Sequence, residues 1–224
     1  MEPVTLTTER LLLRPFALSD TDAVHAACQD PDIQRWTPMP TPYRRADAEE
    51  FVRRICPEEW RDDIGYRFAV VTRDGDALVG AMALVRLAWL RTEERQAELG
   101  YWTVREHRRR GYTGEAARAV VEWAFTGLGV ERLEWCAQVG NEGSRAVALA
   151  AGFRMEGIDR ARIIHNGTRR DAWRAAVLPS DWGLPSTTPY LPAPEKNPTE
   201  SEQNPTAPEQ NPPASGRTAA ADLA

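Results

Sequence analysis

The chain has 224 residues, 42% of them hydrophobic, and a formal net charge of −5, which is apolar material enough for one domain of ordinary size. No apolar leader precedes Thr5 and no run approaches the roughly 18 apolar residues of a membrane span, so a cytoplasmic protein without a membrane partner is expected. Cys28, Cys56 and Cys136 are odd in number and include no C-x-x-C pair, so neither a disulfide framework nor a zinc site is indicated and no metal is expected.

Residues 5–14 are predicted as a strand that Pro15 breaks. Ser19 followed by Asp22 resembles a helix N-cap box and predicts a first helix over 20–28, ended by Asp30-Pro31. Three prolines make 36–43 a loop, and 46–55 reads as a second amphipathic helix. Strands follow over 66–72, 77–87 and 97–104, the first two joined at Asp74-Gly75. A helix over 115–128 carries Ala116, Val120, Val121, Ala124, Phe125 and Leu128 at helical spacing. The chain then reads as a strand (131–138), a short helix (144–150) and a hairpin (153–164 with 168–178) about Asn166-Gly167. The predicted class is α/β, a mixed sheet of about seven strands with helices on both faces.

From Gly183 onward the apolar positions give way to Pro, Asn, Glu, Ser and Thr, with a loose repeat in Glu195-Lys196-Asn197-Pro198, Glu202-Gln203-Asn204-Pro205 and Glu209-Gln210-Asn211-Pro212. Such a segment buries too little surface to offset its chain entropy, so 1–182 is expected to fold and 183–224 to be a disordered tail. Lys196 and Arg217 against Glu195, Glu200, Glu202, Glu209 and Asp222 give the tail −3 of the −5. The remainder is nearly neutral, which argues against a nucleic-acid partner.

Between the third of these strands and the helix over 115–128 lies Arg108-Arg109-Arg110-Gly111-Tyr112-Thr113-Gly114-Glu115-Ala116. Two glycines allow close backbone approach, and a helix N-terminus adds its positive dipole end, which together make a cradle for a diphosphate. An exposed arginine patch at a helix start reads these nine residues equally well.

Neighbouring motifs separate the two readings. Thr8-Glu9-Arg10-Leu11 with Leu13-Arg14-Pro15, Gly80, Leu99-Gly100-Tyr101-Trp102, Gly111-Tyr112 with Glu115-Ala116, Asn141 and Ser144, Gly152-Phe153 with Glu156-Gly157, and Asn166-Gly167 with Asp171 occur in one order from Leu6 to Trp182. In this the chain resembles the GNAT N-acetyltransferase superfamily, in particular its RimJ/RimL-like branch, which acetylates N-terminal α-amines of ribosomal proteins and, in relatives, small amines.

The resemblance implies the GNAT fold, with parallel strands 4 and 5 splayed, and acetyl-CoA as co-substrate. It assigns the coenzyme A diphosphate to Arg108, Arg109, Arg110, Gly111, Tyr112, Thr113 and Gly114, and the pantetheine arm to backbone of Tyr101, Trp102 and Thr103 and to Asn141 and Ser144. The family signature Q/R-x-x-G-x-G/A ends here in Thr113, with Gly114 as a displaced glycine. The family's frequent Pro stands as Arg105, and the Tyr that many relatives place four residues beyond the Ser is Ala148.

Direct attack of a neutral amine on the thioester is then expected, with Ser144 as the remaining acid, Glu98 as a base acting through water, and Cys136 and Glu156 as structural residues. An α-amine of pKa about 7.7 to 8.0 is roughly a tenth neutral at pH 7, and a lysine amine near 10.4 only about four times in ten thousand, so an α-amine needs only a weak base. Trp36, Met39 and Tyr43, with the 163–168 turn, are expected to contact an amine-bearing acceptor, a protein N-terminus or a small molecule. A monomer or homodimer is expected. A non-catalytic acyl-CoA-binding module is the alternative.

Overall fold

In the computed structural model, which describes residues 1–75 and 77–194, strands lie at Leu6–Thr7 (β1), Leu11–Arg14 (β2), Tyr66–Thr72 (β3), Leu78–Val85 (β4), Gln96–Thr103 (β5), Arg132–Gln138 (β6), Arg154–His165 (β7) and Thr168–Val177 (β8). They form one sheet in the order β1-β2-β3-β4-β5-β6-β8-β7, antiparallel throughout except for the parallel pair β5 and β6. The count is eight rather than about seven because the first predicted strand folds back on itself. Thr8 N–H donates to Leu11 O (2.9 Å), and Leu11 N–H donates to Thr8 Oγ1 (3.0 Å), a local turn that a threonine hydroxyl favours.

The helices are Thr21–Ala27 (α1), Pro31–Trp36 (α2), Arg45–Glu50 (α3), Cys56–Arg61 (α4), Tyr112–Thr126 (α5) and Glu142–Ala150 (α6), with a π-helical turn at Phe51–Ile55 between α3 and α4. Asp30-Pro31, expected to end a helix, starts one. Asp30 Oδ1 accepts from Asp32 N–H (3.0 Å) and Pro31 occupies the first turn, the N-terminal pattern for these two residue types. Ser19 is likewise not the cap of α1: the preceding residues form a short 3₁₀ turn whose Asp20 is held by both terminal nitrogens of Arg14. At the Asn166-Gly167 turn both residues take positive φ (47° and 70°), as a tight hairpin requires.

Strand alternation distributes the core over two faces. Ala97, Leu99 and Tyr101 join Leu133, Trp135 and the buried stripe Ala116, Ala117, Val120, Val121 and Ala124 of α5 in the larger cluster. On the opposite face Trp102 and Val104 pack against a smaller cluster of Val24, Tyr43, Ala48 and Val52. Each fully buried valine contributes about 1.5–3 kcal/mol.

The compact unit runs from Met1 to Thr188, past the boundary expected at Trp182. Leu184 packs on the larger cluster, while Thr187 N–H donates to Glu131 Oε1 (2.9 Å) and its hydroxyl to the same oxygen (2.6 Å). Residues 189–194 carry no helix or strand. The predicted disordered tail beyond them, 195–224, lies outside the described residues. No helix among the described residues is long and apolar enough to cross a membrane.

Candidate active site

Parallel pairing between β5 and β6 covers Gln96↔Arg132, Ala97↔Leu133 and Glu98↔Glu134, and then stops. Each strand keeps its outer neighbour beyond that point, β5 pairing with β4 as far as Thr103↔Gly80 and β6 with β8 as far as Gln138↔Ala172. The two strands therefore part after Glu98. Val104 N–H donates to Val79 O (2.8 Å), and alternation of peptide direction along a strand turns Trp102 toward β4 as well. The Leu99 N–H still donates to the Glu134 carbonyl of the last rung, so Tyr101 and Thr103 are the residues whose N–H groups face the gap. Of the three backbone positions expected in the slot, Trp102 is thus committed to the sheet. Gly80 permits this pairing, since a Cβ there would run into the Trp102 carbonyl oxygen.

Side chains from both parted strands converge on the first turn of α6. Tyr101 Oη donates to Ser144 O (2.7 Å) and Trp135 Nε1 donates to Ser144 Oγ (3.1 Å). Asn141 Oδ1 caps the helix by accepting from Ser144 N–H (3.2 Å). Burial pushes the Tyr101 phenol above its ordinary value, so it stays a neutral donor. Ser144 Oγ accepts the indole proton and retains its own hydroxyl proton to donate. Ala148 is fully buried, an apolar filler of the helix–sheet contact. Nothing in the sequence linked Trp135 to Ser144, because their contact is a product of the fold.

Where β5 ends, α5 begins. Its N-cap is Gly111, at φ 79°, and makes no side-chain cap. The N–H groups of Tyr112, Thr113 and Gly114 occupy the first turn, where an α-helix supplies no partner. Arg109, at φ 63°, and Arg110 are exposed and form no ion pair among the described residues. Arg108 is different: it pairs with Asp30, donates from Nη1 to Asp32 (3.1 Å) and from Nε to Thr103 O (3.2 Å). Burial opposes ionisation of Asp30, but the Asp32 N–H, Arg105 and Arg108 together hold its carboxyl below the usual range. Of the three arginines expected in the cradle, Arg108 is therefore committed to a clamp on α2, which leaves Arg109 and Arg110.

The Thr113 departure has a local explanation. Its hydroxyl lies 2.6 Å from that of Thr103, tying the first turn of α5 to the end of β5. Gly114 does not supply displaced turn freedom: it is helical, and a Cβ there would only touch the Ala150 Cβ at 3.8 Å. Gly111 and Arg109 make the turn. The first turn is further braced by Glu115, whose Oε1 accepts from Thr8 Oγ1 (2.5 Å) and Arg10 N–H (3.0 Å) and whose Oε2 accepts from Arg10 Nε (2.7 Å). Arg10 also donates to Arg110 O (3.1 Å) and lies over the Tyr112 ring at 4.7 Å.

Glu98 sits at the last paired rung, on the face away from α5 and α6. Burial raises its pKa above the usual 4.5, opposed by Arg86, whose Nε is 2.8 Å from Glu98 Oε2. Arg86 reaches it from a left-handed conformation (φ 60°) at the end of β4. Cys136, on the same face of β6, has its thiol pKa raised by burial and by Glu98. Glu156 is bound by both terminal nitrogens of Arg132 (2.9 and 2.6 Å), a structural tie as expected.

The expected acceptor wall is only partly assembled. Tyr43 is 8% exposed within the smaller cluster. Burial raises its pKa, as does its bond to Cys28. Met39 also packs on that cluster. The spacing of aromatics in a proline-rich loop does not distinguish a wall from a core, and here the loop is drawn into the core. Trp36 alone lies near the mouth of the gap, its Cη2 3.8 Å from where a Gly140 Cβ would be. A cavity of about 360 Å³ does open on the Arg86 side of the Glu98–Arg86 pair, lined by Arg86, Trp89, Gln96, Ala97, Glu134, Asp159, Arg162 and Arg174. Its residues come from five separate segments, so no linear motif announces it.

The model of the acetyltransferase (GNAT) domain matches residues 10–154. The chain belongs to the GNAT acetyltransferase family. It is 29% identical to the N-acetyltransferase YoaA of Bacillus subtilis, over 74% of this chain and 92% of YoaA. It is 34% identical to YdaF of the same organism, named provisionally as a ribosomal N-acetyltransferase, over 61% of this chain and 74% of YdaF. The structure of Mycobacterium smegmatis RimJ in complex with CoA-disulfide superposes with a TM-score of 0.71 at 23% identity, covering 81% of this GNAT protein and 91% of RimJ. The fold is that of the family and the chemistry is acetyl-CoA-dependent acyl transfer.

The Glu115 brace has a measurable weight. Burial disfavours its charge, but the Thr8 and Arg10 donors hold its pKa below 4.5. The stability it contributes is thus fully present above that value and is lost as pH falls toward the lowered one. Glu115→Ala should cost about 1.5–3 kcal/mol in urea denaturation at pH 7, with the difference from wild type shrinking in acid. A loss that does not change with pH contradicts the brace.

Proposed function

We propose that this enzyme transfers the acetyl group of acetyl-CoA to a primary amine by direct attack, with a protein N-terminal α-amine or a small amine as acceptor. One observation carries the reading: the Tyr101 peptide and the Thr103 N–H open onto a gap that leads to the N-terminus of α5, which has no side-chain cap. An extended amide-bearing arm can pair with the first feature and a diphosphate can take the second. Arg109 and Arg110 add unpaired positive charge to that end. These donors and charges are of the kind that coenzyme A needs.

Acetyl-CoA supplies the activated acetyl thioester. Glu98 takes up the amine proton through a water, its raised pKa bringing its basicity closer to neutral pH. As the C–N bond forms and the C–S bond breaks, Ser144, fixed by Trp135 and Asn141, or a water that Ser144 holds and that is replenished from solvent, protonates the departing coenzyme A thiolate. No enzyme nucleophile is required, and the raised Cys136 pKa keeps that thiol protonated. YdaF and RimJ carry names from ribosomal-protein acetylation, which favours a protein N-terminus as acceptor, and Trp36 at the mouth gives its first side chain an aromatic surface.

Two measurements test this reading. In a thiol-release assay with an α-amine acceptor, kcat/KM should climb with pH through an inflection above 4.5 as Glu98 ionises. Glu98→Gln should remove that limb and lower the plateau about a hundredfold or more, whereas an unaltered limb would exclude Glu98 as base. Gly111→Asp places a carboxylate at the start of α5 and forces a non-glycine residue to φ 79°. It should weaken coenzyme A binding at least tenfold in calorimetry, and wild-type affinity would remove the diphosphate from this site.

A further inference from the structure

The cavity beside the Glu98–Arg86 pair is lined by three arginines, Arg86, Arg162 and Arg174, of which the last two are not closely paired. Arg86 is engaged by Glu98 (2.8 Å), and Glu134 by Arg132 (3.1 Å). Arg174 makes only loose contacts, Nε to Asp159 Oδ2 at 3.5 Å and Nη1 to Glu156 Oε2 at 3.9 Å. Its Nε is buried without a hydrogen-bond partner, an unsatisfied donor of the kind that folded chains avoid unless something fills it. Arg162 is exposed and makes no ion pair among the described residues, yet its charge is felt by both Glu98 and Cys136.

The backbone is shaped to present Arg162. Pairing of β7 with β8 slips between Asp159 and Ile163, and within that bulge Ala161 adopts φ 55°. A left-handed alanine is unfavourable, and it is held from two sides: Ala161 N–H donates to Asp171 Oδ1 (2.8 Å) and Ala161 O accepts from Arg169 Nη1 (3.0 Å). Bulges of this type re-aim the neighbouring side chain, and here that neighbour is Arg162. Trp89, 53% exposed, forms an aromatic edge of the same cavity.

Taking the transferase reading above as its basis, we infer that the acceptor amine belongs to a molecule with a carboxylate nearby, seated by Arg162 and Arg174 while the amine faces Glu98. The acceptor is thus an anionic amine of amino-acid or short-peptide size at this subsite, a scale that the cavity of about 360 Å³ admits. The carboxylate has two sources, the chain terminus of a free amino acid or dipeptide and the acidic side chain of a longer N-terminus.

Thiol release from acetyl-CoA by the full chain should be measured with paired acceptors: Ser-Gly as acid and as amide, and Ser-Asp-amide against Ser-Asn-amide. The inference expects kcat/KM about tenfold or more higher for the acid member of at least one pair, as for a charge-assisted contact, and which pair responds identifies the source. Arg162→Glu should reverse that preference in favour of Ser-Lys-amide, a change that mere loss of structure does not produce. Equal rates within both pairs, or an acid preference that survives Arg162→Glu, overturn the inference while leaving the transferase reading intact. Absence of thiol release with every acceptor overturns both.

Discussion

The parting of β5 and β6 after the Glu98↔Glu134 rung governs everything else in the site. An unpaired strand edge inside a sheet exposes peptide groups that cost free energy unless something satisfies them. Here each strand keeps its outer partner, and the opening is held by rings rather than by backbone. Tyr101 from one strand and Trp135 from the other both bond to Ser144, so one residue at the start of α6 sets the distance between them. The gap is thus held open by side-chain bonds that do not depend on what occupies it.

The second constraint is the brace at the other end of the gap. Thr8 and Arg10 from the β1–β2 turn hold Glu115, and Arg10 also holds the Arg110 carbonyl. Two motifs about a hundred residues apart in sequence are therefore one structural unit, whose task is to fix the first turn of α5 against the end of β5. Thr113 belongs to the same unit through Thr103. Its side chain, a departure in a position where family members carry Gly or Ala, acts as a tether.

Order, type and approximate limits of most elements were legible in the sequence because they rest on local signals: alternation in β3 to β5, the apolar stripe of α5, the Asn166-Gly167 turn. Errors arose where two local signals had two meanings. Asp30-Pro31 ends helices and starts them, and the Arg108 clamp on Asp30 and Asp32 shows why the start was selected. Tyr43, an aromatic in a proline-rich loop expected to contact the acceptor, instead packs in the smaller cluster with Val24, Ala48 and Val52. The cavity residues were illegible for a different reason. Arg86, Arg162 and Arg174 meet only because β4, β7 and β8 converge, and the αL conformations of Arg86 and Ala161 aim side chains in ways that composition does not encode.

Amide hydrogen exchange at single-residue resolution along β5, with and without coenzyme A, tests the central claim most directly, since protection reports hydrogen bonding of each N–H. The parted-strand account predicts protected Leu99 and Trp102 amides in both states, and Tyr101 and Thr103 amides that exchange faster in the free protein, with protection at Tyr101 or Thr103 rising when coenzyme A is added. Equal protection of Tyr101, Trp102 and Thr103 in the free protein, or a ligand-induced change confined to residues outside β5 and α5, would contradict it.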